Sequence, residues 1–143
     1  MPVIEEKIIL EKSHENEEMY LKAIWLLEEA GVKPIHASDA ARLLKISLPS
    51  ATEMLGRMEA KKLVSYGGRE GITLMPAGRK TAEKIVRNLR LTELLFRDVL
   101  KIDYRSDSVC RLEHAITDEV AEAIRKLLGN PRECPHGKII PRV

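Results

Sequence analysis

Aromatic side chains are scarce in this sequence, at 3% of 143 residues, although hydrophobic residues overall make up 44%. A core therefore has to be built from Leu, Ile, Val, Ala and Met, a composition that favours packed helices over a large sheet. The chain is long enough for one compact domain or for two small domains that share a core. We therefore predict a mainly α-helical protein.

Long apolar runs and a secretory signal are also missing. No run approaches the ~18 residues of a membrane-spanning helix, and residues 1–6 lack the basic start and apolar segment of a signal peptide. Only two cysteines occur, and in the absence of a signal peptide they indicate reduced thiols and not a disulfide. We expect a cytoplasmic protein with no membrane partner.

The formal net charge is only +2, but the charges are unevenly distributed. Residues 1–39 hold 4 basic and 9 acidic side chains, residues 40–97 hold 12 and 5, and residues 98–143 hold 8 and 8. A basic middle segment between acidic and neutral ones is typical of a nucleic-acid-binding surface, although merely solvated basic stretches are commoner. The pattern is consistent with double-stranded DNA as a partner.

Apolar spacing predicts a first helix over residues 4–30 that ends at Gly31, and a second helix that begins near Ser38. Ser47 is a candidate N-cap for a third helix, and Pro49 suits its first turn. The outer face of this third helix carries small polar residues, which suit entry into the major groove. A short helix, a three-residue turn and such a helix form a helix-turn-helix.

A β-hairpin is predicted directly after the third helix. Residues 63–66 and 72–74 have the pattern of strands, and the glycine-rich residues 67–71 form the turn between them. A hairpin at this place is the wing of a winged helix-turn-helix, and Arg69 at its tip would reach phosphate or the minor groove. The alternative is a small helical domain whose hairpin has no role in DNA binding.

The segment Met-Pro-Ala-Gly at residues 75–78 marks the joint between two domains. We place the winged helix-turn-helix in residues 1–75 and a helical domain in residues 76–143. In the second domain, helices are predicted over residues 77–100 and 108–128, followed by an irregular tail that contains two prolines.

Three potential metal ligands occur close together in the second domain. Helix geometry puts residues three and four apart on one face, so Cys110, Glu113 and His114 project in the same direction. A thiolate, a carboxylate and an imidazole make most of a transition-metal site, which needs at least one further ligand.

A zinc hydrolase is one alternative, but no second acid, base or nucleophile accompanies the three, so we predict no enzyme. A metal-independent winged-helix regulator, in which the three serve as core and surface, is the other alternative.

The chain resembles the iron-dependent repressors of the diphtheria toxin repressor and manganese transport regulator type (the DtxR/MntR family) over nearly its full length. The matching segments, in order, are residues 18–21, 25–29, 40–63, 76–79, 110–114, 118–120 and 134–137. The resemblance implies a homodimer of subunits with a winged helix-turn-helix followed by a helical dimerisation and metal-binding domain. It also implies a metal-dependent transcriptional repressor that binds palindromic operators of metal-homeostasis genes.

The same resemblance implies a fourth ligand for the primary metal site, because Met19 matches a methionine that joins the Cys, Glu and His of iron-type members. Manganese-selective members carry Asp where Met19 stands and Glu where Cys110 stands. Soft sulfur ligands favour Fe(II), Co(II) and Ni(II) over Mn(II). Fe(II) is therefore the expected ion, with Co(II), Ni(II), Zn(II) and Mn(II) as alternatives.

The ancillary metal site of the family departs from its usual pattern here. Glu93 stands at a ligand position, but Leu89 and Ser106 stand where two histidine ligands are expected. We expect this site to be absent or rebuilt from other residues, with Glu93 its best surviving member. We assign Cys134 to the packed tail, and we assign surface or structural roles to His14, His36 and His136. Larger members continue into an SH3-like third domain, which we do not expect here.

The resemblance also implies the DNA-contacting residues. Family positions at the groove are occupied by Ser47, Pro49, Ser50 and Thr52. Arg57 and Arg69 are expected at phosphates. Glu53 stands where a Gln is expected, and a carboxylate accepts a hydrogen bond from cytosine N4 but repels phosphate. We therefore expect an operator that differs from the usual one of the family.

Overall fold

The computed structural model describes residues 12–143, with side chains from residue 17 onward. The predicted helix before residue 12 and the side chain of His14 lie outside the described residues. The first domain contains the helices α1 (Lys12–Glu29), α2 (Ala37–Leu44) and α3 (Leu48–Ala60). Helix α1 is followed, as predicted, by Gly31, which has a φ of 85° and whose amide donates to the Glu28 carbonyl.

The turn between α2 and α3 has the local interactions that the sequence predicts. Lys45 ends α2 in the left-handed conformation, with a φ of 57°. The Ser50 amide donates to Ser47 Oγ at 3.3 Å, so Ser47 caps α3, and Pro49 lies in the first turn. The helix-turn-helix is therefore confirmed.

The wing consists of two antiparallel strands, β1 (Val64–Gly68) and β2 (Gly71–Leu74), which extend slightly closer to the tip than predicted. Val64 pairs with Leu74 and Gly68 pairs with Gly71, so residues 69 and 70 form the turn. The wing also contacts the segment before α2, because the Ile72 amide donates to the Ile35 carbonyl at 2.8 Å.

The second domain contains α4 (Pro76–Leu94), a π-helical segment (Leu95–Leu100), α5 (Asp107–Glu113) and α6 (Asp118–Leu127). The single helix predicted over residues 108–128 is wrong, because two helices occupy that range. Thr117 provides the physical reason: its Oγ1 accepts from the Val120 amide at 3.3 Å and caps a new helix. Asp118 and Glu119 in the first turn favour the same N-terminus.

Two hydrophobic clusters underlie the two domains. The first joins α1, α2, α3 and the wing, and its fully buried members include Leu21, Ile24, Leu55, Met58 and Val64. The second joins α4, α6 and the C-terminal tail, and it comprises Leu91, Leu94, Ala121, Ile124 and Ile140. Ala82 of α4 belongs to the first cluster, so the long helix packs against both domains.

The joint between the domains is closely packed. The Leu63 carbonyl accepts from the Met75 amide at 2.9 Å, just before α4 begins. Gly78 lies against the same carbonyl, and a Cβ at Gly78 would stand 2.1 Å from that oxygen. No side chain fits this space without displacement of backbone, so a glycine is required here.

Two arginines of α4 hold the C-terminal end of α1. Arg79 donates to both carboxylate oxygens of Glu28 at 3.0 Å. The buried Arg90 donates to both oxygens of Glu29, at 2.9 and 2.7 Å, and lies 5.3 Å from the centre of the Trp25 ring. The hydrogen bond from Arg90 lowers the pKa of Glu29. These contacts fix α1 along α4, which brings the N-terminal half of α1 close to α5.

None of the helices within residues 12–143 combines the length and the apolar character that crossing a membrane requires.

Candidate metal centre and nucleic-acid interface

Cys110, Glu113 and His114 come together at the end of α5, with one potential ligand atom from each within 4.8 Å of the others. Glu113 Oε1 lies 3.5 Å from Cys110 Sγ and 3.2 Å from His114 Nε2. His114 is the C-cap of α5 and still has helical backbone angles. Cys110, Glu113 and His114 therefore lie on one face, as predicted, although α5 ends at Glu113.

Met19 of α1 lies directly beside these three side chains. Its Sδ is 3.1 Å from His114 Nε2 and 3.9 Å from Cys110 Sγ. Two sulfur atoms, one imidazole nitrogen and one carboxylate oxygen thus converge from two domains. Sequence reasoning reached Met19 only through the family resemblance, since a methionine on a helix is commonly a core residue.

The burial of Glu113 tests whether this cluster fits a metal ion. The Glu113 side chain is 0% exposed, and its Oε2 has no hydrogen-bond partner among the described residues. Leaving an oxygen of a buried carboxylate unsatisfied is costly even when its other oxygen is paired, and a bound cation would satisfy Oε2. Sulfur and imidazole donors add a preference for transition metals. The donor set therefore fits a divalent transition-metal ion.

Glu18 orients the imidazole of His114. Its Oε2 lies 2.9 Å from His114 Nδ1, which leaves Nε2 directed toward the other donors, an arrangement common around metal-ligating histidines. Burial opposes protonation of His114, but the hydrogen bonds to Glu113 and Glu18 outweigh it and raise its pKa to about 9. Because a ligand imidazole must be neutral, an ion bound by His114 would displace a proton. This role of Glu18 was not identified from the sequence. The available signal was that Glu18 directly precedes Met19, the candidate fourth ligand.

Lys22 also reaches this cluster, and sequence reasoning did not single it out. Its Nζ donates to Glu113 Oε1 at 2.7 Å and lies 3.9 Å from Cys110 Sγ. Lys22 follows Met19 by three residues on α1, so the spacing already places both on one helix face.

A second group of potential ligands lies where α4 meets the C-terminal tail. Glu93 Oε2 is 3.2 Å from His136 Nδ1, and Cys134 Sγ is 4.0 Å from the same nitrogen. Burial raises the pKa of Glu93. Cys134 is buried and His136 is exposed, in keeping with their predicted packing and surface roles, and the folded tail brings both beside Glu93. Leu89 has no side-chain atom that could bind a metal ion.

The small polar residues predicted at the DNA lie mostly exposed at the start of α3, and they also stabilise that helix. Ser47 Oγ donates to Ser50 Oγ at 2.8 Å, and Thr52 Oγ1 donates to the Pro49 carbonyl at 3.0 Å. The side chains of Ser47, Pro49 and Ser50 are exposed, whereas Thr52 is half-buried.

Charged residues farther along α3 and on the wing are exposed as well. Arg57 donates to Glu53 Oε1 at 2.6 Å across one helical turn. Such exposed pairs contribute only ~0.3–0.5 kcal/mol, so either partner can leave the pair for another contact. Arg69 lies exposed in the turn of the wing. The Glu53 carboxylate is thus partly neutralised, which reduces the repulsion expected between it and phosphate.

The fold is that of a winged-helix DNA-binding protein whose second, helical domain carries a candidate metal centre. Comparison with known families agrees with this class. The family sequence model described as the iron dependent repressor N-terminal DNA binding domain matches residues 12–72. A second family model, described as the iron dependent repressor metal binding and dimerisation domain, matches residues 75–142. The chain belongs to the iron-dependent repressor family.

Individual relatives carry names that agree with this assignment. The chain is 37% identical to the diphtheria toxin repressor of Corynebacterium diphtheriae over 126 residues, covering 87% of this chain and 55% of that protein. It is 36% identical to the iron-dependent repressor IdeR of Mycobacterium leprae over 126 residues, covering 87% and 54%. A manganese-dependent transcriptional repressor in complex with manganese has a TM-score of 0.81 at 30% identity, covering 89% of this chain and 59% of that one. The chain thus spans about half the length of the curated relatives it matches.

Proposed function

We propose that this protein is a metal-dependent transcriptional repressor, activated by Fe(II), that binds palindromic operators of metal-homeostasis genes as a homodimer in the cytoplasm. The observation that carries the proposal is the position of Met19 Sδ, 3.1 Å from His114 Nε2 and 3.9 Å from Cys110 Sγ. These donors belong to α1 of the DNA-binding domain, residues 1–75, and to α5 of the second domain, residues 76–143. The relatives described above are named as repressors.

The position of the donors in two domains suggests how activation works. Met19, Cys110, Glu113 and His114 would hold a divalent ion, which would supply positive charge between the two domains. Donors that share one ion would hold α1 against α5, and α1 packs on α2 in the first core, to which α3 also belongs. In a dimer, this fixes the separation of the two α3 helices, which have to reach half-sites ~34 Å apart. If the ion favours the DNA-competent arrangement by only ~1–3 kcal/mol, metal binding and DNA binding are usefully coupled.

The chemistry of the donors supports Fe(II) over Mn(II). Met19 and Cys110 contribute two soft sulfur atoms, which favour Fe(II), Co(II) and Ni(II) over Mn(II). The preference for Fe(II) over the tighter-binding Ni(II) and Zn(II) depends on cellular availability, and the names of the iron-dependent relatives support it.

Exposed apolar residues after α4 support a dimer contact in the second domain. Val99, Leu100 and Ile102 are each about half exposed, and Leu112 of α5 is also exposed. Neighbouring apolar side chains in water are unfavourable unless another surface covers them. A second copy is the expected occupant, because the matching family model is described as a dimerisation domain. An isologous contact would give the two-fold symmetry that a palindromic operator requires.

The DNA contacts are proposed from exposure and residue type. Ser47, Pro49, Ser50 and Thr52 would approach base edges, while Arg57 and Arg69 would contact phosphates. Glu53 would accept from cytosine or remain paired with Arg57.

Metal-dependent DNA binding is the direct test of this function. Random double-stranded DNA is selected under anaerobic conditions with Fe(II), and the affinity for the enriched duplex is measured by fluorescence anisotropy with Fe(II) and with a chelator. We expect binding at least about tenfold tighter with Fe(II), within the usual range of allosteric coupling.

Two outcomes would contradict the proposal. Equal affinity with Fe(II) and with chelator would support a metal-independent winged-helix regulator. Hydrolysis of an ester or peptide substrate by the zinc-loaded protein, lost in Glu113→Gln, would support the zinc hydrolase.

Glu93, Cys134 and His136 support a second metal ion in each chain. Their carboxylate, thiol and imidazole face one another, and the Glu93 carboxyl group is buried. We expect wild-type protein to bind two Co(II) ions per chain and Cys134→Ala to bind one, measured by absorbance titration and elemental analysis. One ion per chain in both proteins would show that these three residues hold no metal under these conditions.

A further inference from the structure

We propose that Lys22 is a built-in competitor of the activating ion, so that its ammonium group sets the metal concentration at which the protein switches. The inference rests on the proposed function, because it concerns the same cluster. Lys22 lies on α1, with a side chain that is only 12% exposed, and it donates to the fully buried Glu113 of α5 at 2.7 Å. The pair therefore connects the two domains through a charge contact.

The oxygen that Lys22 contacts is the one that faces the other donors. Glu113 Oε1 lies 3.2 Å from His114 Nε2 and 3.5 Å from Cys110 Sγ, whereas Oε2 has no hydrogen-bond partner among the described residues. The Lys22 Nζ is also 3.9 Å from Cys110 Sγ. The ammonium thus touches two of the four donor side chains on the side where an ion would bind.

An ammonium group and a metal ion cannot both use this position. The ammonium has no lone pair, so Lys22 cannot act as a ligand while it is protonated. Transition metals bind oxygen and sulfur donors at ~2.0–2.3 Å, which would bring an ion close to a cation that contacts the same two atoms. Repulsion between like charges in a poorly solvated site is strong. The flexible stem of Lys22 allows the ammonium to move to solvent when an ion takes its place.

This exchange has two consequences for the protein. Without metal, Lys22 stabilises the buried carboxylate, which would otherwise have no cation from α1. With metal, the free energy of displacing Lys22 is subtracted from the binding free energy, so the affinity is lower than the donor set alone would provide. Lys22 thereby raises the metal concentration needed for activation and does not itself bind the ion.

Lys22→Met tests the inference, because methionine has a similar length and no charge. The matched control is Lys61→Met, since Lys61 also pairs with a glutamate of α1, Glu17, but lies outside the cluster. Co(II) affinity is measured without DNA from the thiolate absorbance, with all variants in a Cys134→Ala background so that only the Cys110 thiolate is observed, and thermal unfolding is measured with and without Co(II). We expect Lys22→Met to bind Co(II) about 10- to 100-fold more tightly, the scale on which neighbours of ligands change metal affinity. Lys61→Met should bind like wild type.

The stability of the same variants gives a second measurement. Without Co(II), Lys22→Met should melt below wild type because Glu113 Oε1 loses the ammonium group that contacts it, and with saturating Co(II) this difference should disappear. Lys22→Arg retains the cation, and we expect it to bind Co(II) with the weak affinity of wild type even if Lys22→Met folds only with metal. Equal or weaker Co(II) binding by Lys22→Met would overturn the inference and make Lys22 a supporting residue of the site.

The inference and the proposed function fail in different ways. If wild-type DNA binding depends on metal but Lys22→Met and wild type bind Co(II) equally, only the inference fails. If Lys22→Met binds Co(II) more tightly but DNA binding is independent of metal, only the proposed function fails. If wild type binds no Co(II), both are refuted.

Discussion

His114→Ala is expected to abolish metal-dependent DNA binding while the protein remains folded. The substitution removes the imidazole whose Nε2 lies 3.1 Å from Met19 Sδ and 3.2 Å from Glu113 Oε1. Loss of a residue that only supports a ligand costs about 10- to 100-fold in metal affinity, so loss of a ligand should cost more than ~100-fold. The measurements are Co(II) titration and anisotropy with the selected DNA duplex.

Two further variants separate loss of the ligand from loss of structure. His114→Gln keeps an amide that is able to donate to Glu18 but lacks an imidazole, so we expect it to lose the metal response as well. His36→Ala removes an exposed histidine away from both donor clusters and should retain wild-type Co(II) affinity. A wild-type metal response in folded His114→Ala would show that the primary site is assigned to the wrong residues.

Gly78→Ala should destabilise the whole protein strongly although it adds only one methyl group. The new Cβ would stand 2.1 Å from the Leu63 carbonyl oxygen and 3.1 Å from Leu21 Cδ2. The clash involves backbone, so relief requires α4 to move away from the wing and from the first core. We expect a loss of about 3 kcal/mol in the free energy of unfolding, or about 10 °C in Tm, measured by chemical and thermal denaturation.

Gly56→Ala is the matched control, since it makes the same chemical change inside α3. A Cβ at Gly56 meets no atom within 4 Å, so no clash occurs. Alanine is favoured over glycine in a helix interior, and the variant should gain about 0.5–1 kcal/mol. Equal effects of the two substitutions would contradict the close approach of α4 to Leu63.

Local sequence signals were sufficient for most of the first domain. Ser47 with Pro49 predicts the start of α3, and the glycine-rich turn predicts the wing, because caps and turns depend on a few adjacent residues. The same kind of signal occurs at Thr117, a capping residue that begins a second helix inside the single helix predicted over residues 108–128. Gly78 belongs to the predicted joint, but its contact with Leu63 depends on the packing of two elements.

The sequence by itself determined the donors that lie within one helical turn. Cys110, Glu113 and His114 share a face because helix geometry relates residues three and four apart, whatever surrounds them. It also determined, through the family resemblance, that Met19 is the candidate fourth ligand.

Tertiary structure alone decided which distant charges meet these donors. Lys22 reaches Glu113 across the domain boundary because α4 holds α1 through Arg79 and Arg90. The tail brings Cys134 and His136 to Glu93 about forty residues away along the chain. Contacts of this kind depend on the packing of whole elements, and no spacing along the sequence encodes the distance between such atoms. The candidate donors of the primary site are therefore largely local in origin, whereas the contact of Lys22 with them arises only from the fold.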